Sequence, residues 1–129
     1  MDFNKISQIE NRDINSLSII NEFCEIDSIG IDPYFYIKNV NFELSNNNYF
    51  QLKLQSNEIG IFEIIFDFGD GFDFNNSIKI NINKINEPIN YFIRINQINK
   101  TIKQVRVDPI DKVAKVKLEE MNLINYKDK

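Results

Sequence analysis

The sequence predicts an all-β protein: a two-sheet antiparallel sandwich, jelly-roll-like, of about eight strands. Three observations predict it. Apolar and polar residues alternate with period two through most of the chain. Turn signals recur every ten residues or so, the rhythm of a sandwich or barrel. Helix formers are scarce: Ala occurs once, at Ala114, against 24 Ile and 20 Asn. AT-rich coding accounts for that Ile and Asn excess, but Ile still has physical consequences. It is β-branched, stiff at its first torsion, and suits a pleated surface. No window shows helical periodicity, and no internal repeat is present.

The elements follow in order. Met1 to Asn15 is polar with scattered Ile and reads as a loose lead-in or a short edge strand. Ser16 to Ile20 is a strand. Phe23 to Ile29 is the next, broken by Gly30, and Asp32-Pro33 turns the chain into Tyr34 to Val40. Phe42 and Leu44 extend that segment after a kink, and Ser45 to Asn48 is a turn. Tyr49 to Gln55 sets Phe50, Leu52 and Leu54 against Gln51, Lys53 and Gln55. Ile59 to Phe68 is apolar on both faces, with Phe62, Ile64, Phe66 and Phe68 opposite Ile61, Glu63 and Ile65, and reads as a central strand. Asp70-Gly71 closes it with a strong turn signal. Ser77 to Ile85, Ile89 to Ile95, Ile102 to Asp108 and Val113 to Leu118 are the remaining strands. Leu118 to Tyr126 either holds one helical turn or extends the last strand. The predicted core is Phe50, Leu52, Ile64, Phe66, Ile80, Ile93, Val107 and Val116.

At 129 residues, the chain 1–129 fits one domain large enough for a core without staples. The net charge is −4 with scattered Lys and Arg, which argues against nucleic acid. Lys112 to Lys117 alternates with apolar residues and reads as the solvated face of a strand. No apolar run reaches membrane-spanning length, and no apolar signal segment opens the chain. The expectation is a soluble, cytoplasmic protein without membrane insertion.

The chain contains no His, which removes Ser-His, Cys-His and His-metal chemistry together. Cys24, the one cysteine, reads as a small buried apolar residue rather than a nucleophile. Paired carboxylates for glycoside hydrolysis remain conceivable, but the acidic residues sit in turns and at solvent-facing positions. The expectation is no enzyme. Asp67, Asp70 and Asp73 stand at a spacing of three in an Asp- and Gly-rich loop, a weak calcium candidate that a plain hairpin loop explains equally well. No other cofactor is implied.

Rings off the core face could stack on sugars. Candidates are Phe92, flanked on its face by Asn90 and Arg94, and the group Tyr34, Tyr36 and Tyr49. In a chain without Trp, the plainer role of Phe and Tyr is to fill the core. Arg106 and Asp108 project to one strand face and read as a structural clasp before Pro109 ends the strand.

The segment Ile102 to Leu118, built around Arg106-Val107-Asp108-Pro109, resembles the closing strands of β-sandwich modules attached to bacterial glycosyltransferases of surface-polysaccharide synthesis. Asp32-Pro33-Tyr34 and Phe72 to Ile78, with Gly71-Phe72 and Asn76-Ser77-Ile78, are similar to earlier parts of those modules. The resemblance covers residues 25 to 120. Lys112-Val113-Ala114 departs from the Gly-containing turn of the pattern, and the Asn-rich loops have no counterpart in it. The resemblance implies a non-catalytic, carbohydrate-binding-module-like accessory domain. Its partner would be a glycan or an adjacent glycosyltransferase domain. The alternatives are a structural or oligomerisation domain without a small ligand, and a hydrolase using paired carboxylates.

Overall fold

The computed structural model describes residues 1, 3, 6–20 and 23–126. Among them there are twelve strands and no helix. They are β1 (Ile6–Arg12), β2 (Ile14–Ile20), β3 (Phe23–Ser28), β4 (Tyr34–Ile37), β5 (Phe42–Glu43), β6 (Asn48–Ser56), β7 (Gly60–Asp67), β8 (Phe72–Ile82), β9 (Ile89–Ile95), β10 (Thr101–Ile102), β11 (Gln104–Asp108) and β12 (Lys115–Asn125). Ten of them form two five-stranded antiparallel sheets. The first runs β1-β4-β11-β7-β8 and the second β2-β3-β12-β6-β9, while β5 and β10 pair by themselves.

The count exceeds the predicted eight for identifiable reasons. The lead-in contains an edge strand, β1; residues 2, 4 and 5 before it lie outside the described ones. Asp13 then takes a positive φ of 53° and switches the chain from the first sheet to the second. Its carbonyl accepts from Ile29 N at 2.9 Å and its carboxylate from Asp32 N at 3.2 Å. A Cβ at Gly30 would collide with that carboxylate, so the close approach requires glycine there.

Alternation supplies the core. Phe50, Leu52 and Leu54 of β6 point inward, as do Phe62, Ile64 and Phe66 of β7, and Val105 and Val107 of β11; all are buried. Phe50 and Phe62 stack across the two sheets, ring centroids 6.1 Å apart and 16° from parallel. Of the predicted core, Ile93 alone is half-buried, because β9 is an edge strand with one neighbour. β7 is paired on both sides, as its apolar character demands, yet the middle place of its sheet belongs to β11.

Three boundaries differ from expectation. β8 begins at Phe72 rather than Ser77, because Asp67 closes a tight hairpin. Its carboxylate accepts from Gly69 N at 2.7 Å and Gly71 N at 3.0 Å, and both glycines have positive φ. β12 begins at Lys115 rather than Val113. Buried Ser28 donates to Lys112 O at 2.7 Å and accepts from Ala114 N at 2.8 Å, which holds 112–114 as a turn. Beyond Leu118, β12 runs on to Asn125 beside β6, with a bulge between Leu118 and Glu120, so the strand reading of that segment is the correct one. The Asn excess also has a use: Asn39, Asn41, Asn86 and Asn99 all take positive φ, which Asn tolerates better than most residues.

Cys24 is fully buried, and burial, with Glu25 beside it, pushes its thiol up to about 12. It is an inert core residue.

Two outcomes are expected. Phe50→Ala should cost about 3 to 5 kcal/mol in urea or guanidinium unfolding, since it empties the inter-sheet stack. For Asp67, burial pushes the carboxyl up, but hydrogen bonds from Gln104, Gly69 and Gly71 outweigh it and hold the folded value below 3.8. The ionised form therefore favours the fold. Its contribution is complete above the unfolded value and is lost as pH falls through the folded one. Asp67→Asn should lower stability at neutral pH by about 1 to 3 kcal/mol and flatten the acid limb of a stability-against-pH curve. An unchanged acid limb would refute this role.

Candidate carbohydrate-binding face

The outer face of the first sheet is set by strand registers. Val105 and Val107 face the core, so Gln104, Arg106 and Asp108 face out. Register then defines three outward rows. Gln104 lies opposite Asp67 and donates to its carboxylate at 2.6 Å. Arg106 lies between Tyr36 on β4 and Ile65 on β7, with Ser77 beyond. Asp108 lies opposite Glu63, with Lys79 beyond.

Arg106 is the centre of this face. Its Nε donates to Asp108 Oδ1 at 2.9 Å and its Nη2 to Asp108 Oδ2 at 3.1 Å, a bidentate pair of i and i+2 residues on one strand. Asp32 lies 3.6 Å from the same Nη2. The guanidinium sits 3.8 Å from the centroid of Tyr34 and 5.6 Å from that of Phe74. Tyr34 meets Tyr36 edge-on at 5.8 Å, and Tyr36 meets Phe72 at 5.3 Å. Ile65 is fully buried yet lies outside the cluster between the sheets, in the same row as Tyr36 and Arg106.

A bulge in β8 puts Phe74 there. Between the pairs Ile65↔Ser77 and Asp67↔Phe72, β7 advances two residues and β8 five. The extra residues are tied by Asp73, which accepts from Asn75 N at 2.9 Å, and by Ser77, which donates to Phe74 O at 2.9 Å. Phe74 is left 61% exposed beside Arg106. With Ile31, Ile61 and Ile110 it forms the apolar part of a groove of about 310 Å3. Arg106, Lys79, Asp32, Glu63, Asp108 and Asp111 are the charged part. Glu63 Oε2 is buried there without a hydrogen-bond partner.

Electrostatics follow from this crowding. Burial alone would lower the Arg106 value, but the Asp108 bond, with Tyr36 and Asp32, raises it above the ordinary one. Burial pushes the Asp108 carboxyl up, Arg106 pulls it down, and neighbouring Glu63 and Asp32 leave it raised.

The predicted site residues fall on two opposite faces. Tyr34, Tyr36, Arg106 and Asp108 come together on the first sheet. Phe92 and Arg94 lie on the outer face of the second, where Phe92, 50% exposed, stacks on Tyr49 at 4.8 Å and meets Tyr126 at 6.0 Å. Arg94 donates to Asn46 O at 3.3 Å. The second sheet also carries a polar groove of about 390 Å3 without a ring in its lining. There Glu25 lies opposite Lys117 and Asp27 opposite Lys115, so the charges oppose one another. Of the calcium candidates, Asp67 spends its carboxylate on Gln104 and the hairpin backbone. Among the described residues no group of three metal-ligating side chains is arranged to hold an ion. Sequence reasoning missed Phe74 and Glu63. The lone carboxylate in the otherwise apolar Ile61 to Phe66 run was the available signal for Glu63; nothing local announced the bulge.

No family model and no curated protein matches the chain. Solved structures do. A family 4 carbohydrate-binding module aligns with a TM-score of 0.65 at 6% identity, over 88% of this chain and 76% of that one. A variant of a family 29 module aligns at 0.64 and 10% identity, over 95% and 82%. Another, in complex with cellulohexaose, aligns at 0.57 and 12%, over 93% and 80%. At these identities the likeness establishes a shared β-sandwich fold.

Arg106→Ala should lower stability by about 1.5 to 3 kcal/mol, because it leaves Asp108 half-buried without its partner. Arg106→Lys should recover only part, lacking the planar fork. A loss below about 0.5 kcal/mol in denaturant unfolding would show that the clasp is dispensable.

Proposed function

We propose that this domain is a non-catalytic glycan-binding module whose binding face is the outer surface of the first sheet. The observation that carries the reading is Phe74, exposed by the β8 bulge beside the Arg106 guanidinium and over a groove of charged side chains. A pyranose has an apolar face that packs on a ring and a rim of hydroxyls that bond to charged and amide groups. The face offers both within one groove. The shared fold with carbohydrate-binding modules supports the same reading. Attachment to a glycosyltransferase of cell-surface polysaccharide synthesis, in the cytoplasm, belongs to the proposal through the Arg106-Val107-Asp108-Pro109 resemblance. Tethering would give a weak module a high local glycan concentration. The reading uses no cofactor and no catalytic residue.

A second reading places the glycan on the opposite sheet, on the stacked Tyr49 and Phe92 rings with Arg94 at their edge. The stack itself favours it, though neither ring lines either of the two grooves described above.

Titrating isotope-labelled protein with cellohexaose and mannohexaose, followed by amide NMR shifts, separates the two. Shifts should gather on Tyr34, Tyr36, Phe74 and Arg106, with an affinity near millimolar, about −4 kcal/mol. Phe74→Ala should leave stability unchanged within about 0.5 kcal/mol. It should weaken binding roughly two- to twelvefold, the value of one ring stacked on a ligand. Shifts confined to Tyr49, Phe92 and Tyr126 would move the site to the other face. No shifts with any oligosaccharide tried would leave a structural or oligomerisation role in its place.

A further inference from the structure

The charge and hydrogen-bonding state of the groove go further than its shape. Four carboxylates line it, Asp32, Glu63, Asp108 and Asp111, against two cations, Arg106 and Lys79. The formal balance is two positive against four negative, or −2. The cations are weaker attractors than that count suggests. Arg106 is committed on its bidentate edge to Asp108, faces Asp32 and lies against Tyr34. Lys79 sits in the last strand of the sheet, exposed, and makes no ion pair among the described residues. The carboxylates are unequally used. Asp108 is taken by Arg106, and Asp111 accepts from Ile61 N at 3.0 Å. Glu63 keeps one oxygen, Oε2, buried and without a partner, the single such side-chain atom among the described residues.

A carboxylate only accepts hydrogen bonds, so Glu63 lacks a donor. The final torsion of Glu is soft, and a turn about it exchanges the two oxygens between the groove and the sheet surface. The row it occupies, Asp108-Glu63-Lys79, lines the groove together with Phe74. A ligand group that carries a positive charge and several donors would satisfy both the hydrogen-bond deficit and the charge balance. A neutral hydroxyl satisfies only the first. A carboxylate, sulfate or phosphate satisfies neither and is repelled.

The geometry points to a glycan bearing free amino groups as the ligand of this groove, with Glu63 as the specificity-determining acceptor. The inference rests on the binding reading above and adds the sugar class to it. The sugar face stacks on Phe74, the protonated amine donates to Glu63, and the Asp32 and Asp108 carboxylates contribute to the field that draws it in. The Asp108 carboxyl is raised chiefly by burial; Arg106 lowers it, and Glu63 and Asp32 add to the rise.

Three β-1,4-linked hexaoses that differ only at carbon 2 test it: glucosamine hexaose, N-acetylglucosamine hexaose and cellohexaose. Each is titrated into the protein at a pH where the sugar amine is protonated, with amide shifts read at Glu63, Phe74, Arg106 and Asp108. The amine oligomer should bind on the order of tenfold more tightly than cellohexaose, and added salt should shrink the margin. Glu63→Gln, which keeps the shape and removes the charge, should erase most of the margin between the amine oligomer and cellohexaose. Should that variant fail to fold, Lys79→Gln, an exposed change, should widen the margin instead. Equal affinity for the amine and hydroxyl oligomers would overturn the sugar-class inference and leave the glycan-binding reading standing. A margin that survives Glu63→Gln, or stays the same in Lys79→Gln, would overturn the assignment. Failure of all three oligomers to bind this face would overturn the underlying reading as well.

Discussion

Everything in this molecule hangs on one apolar layer pressed between two sheets. The layer is continuous because each sheet contributes alternate residues of its strands, and because Phe50 and Phe62 bridge them at the middle. The middle strand of each sheet comes late in the chain. β11 joins β4 to β7 in the first sheet, and β12 joins β3 to β6 in the second. Neither sheet is whole until residues far apart in sequence have met. Such non-local pairing is slow to form, since loop-closure entropy is spent before the contacts return it. Val105, Val107, Val116 and Leu118 of these two strands complete the layer.

The same alternation that buries one face of β11 presents the other. Val105 and Val107 inward force Gln104, Arg106 and Asp108 outward, and the neighbouring strands supply Tyr36, Ile65 and Glu63 in register. A chemically varied surface thus rides on a conventional core. Its pieces meet at Arg106, which is paired by Asp108, lies against Tyr34 and meets Phe74 through the bulge. The bulge in turn depends on Asp67, which closes the hairpin and lets β8 start its pairing at Phe72. The Gln104-Asp67 bond links that hairpin back to β11, the strand that carries Arg106.

The outer faces also show how the two sheets diverge in chemistry. On the second sheet Gln51 is nearly buried. Its amide nitrogen donates to Asn90 at 3.0 Å and Glu120 at 2.9 Å, and its oxygen accepts from Asn122 at 2.7 Å. That polar ladder is satisfied within the protein. On the first sheet Glu63 holds a buried oxygen without a hydrogen-bond partner among the described residues. A satisfied network stabilises the sheet; an unsatisfied buried acceptor is open to a water or a ligand.

Much of this was legible in the residues. Period-two patterning located nine of the strands, missing the early start of β8 and the long run of β12, and named seven buried core positions, since alternation is a local property of a pleated strand. The Arg106-Asp108 geometry was legible for the same reason, because i and i+2 on a strand share a face. The second end of the chain was ambiguous in sequence and became strand only because β6 was there to pair with it. Which aromatic residues share a surface was beyond the sequence: Phe92 and Tyr34 look equivalent by pattern, yet their strands went to opposite sheets, a decision made by long-range pairing. Phe74 and Glu63 likewise acquired meaning only in three dimensions. A bulge of three extra residues in β8 and a cross-strand register to Asp108 placed them, and both arise from strands meeting rather than from any residue's own preference. Composition and alternation by themselves determined that the chain would be a β-sandwich; sheet order and register alone decided which of its two outer faces became a groove with rings and an unpaired charge.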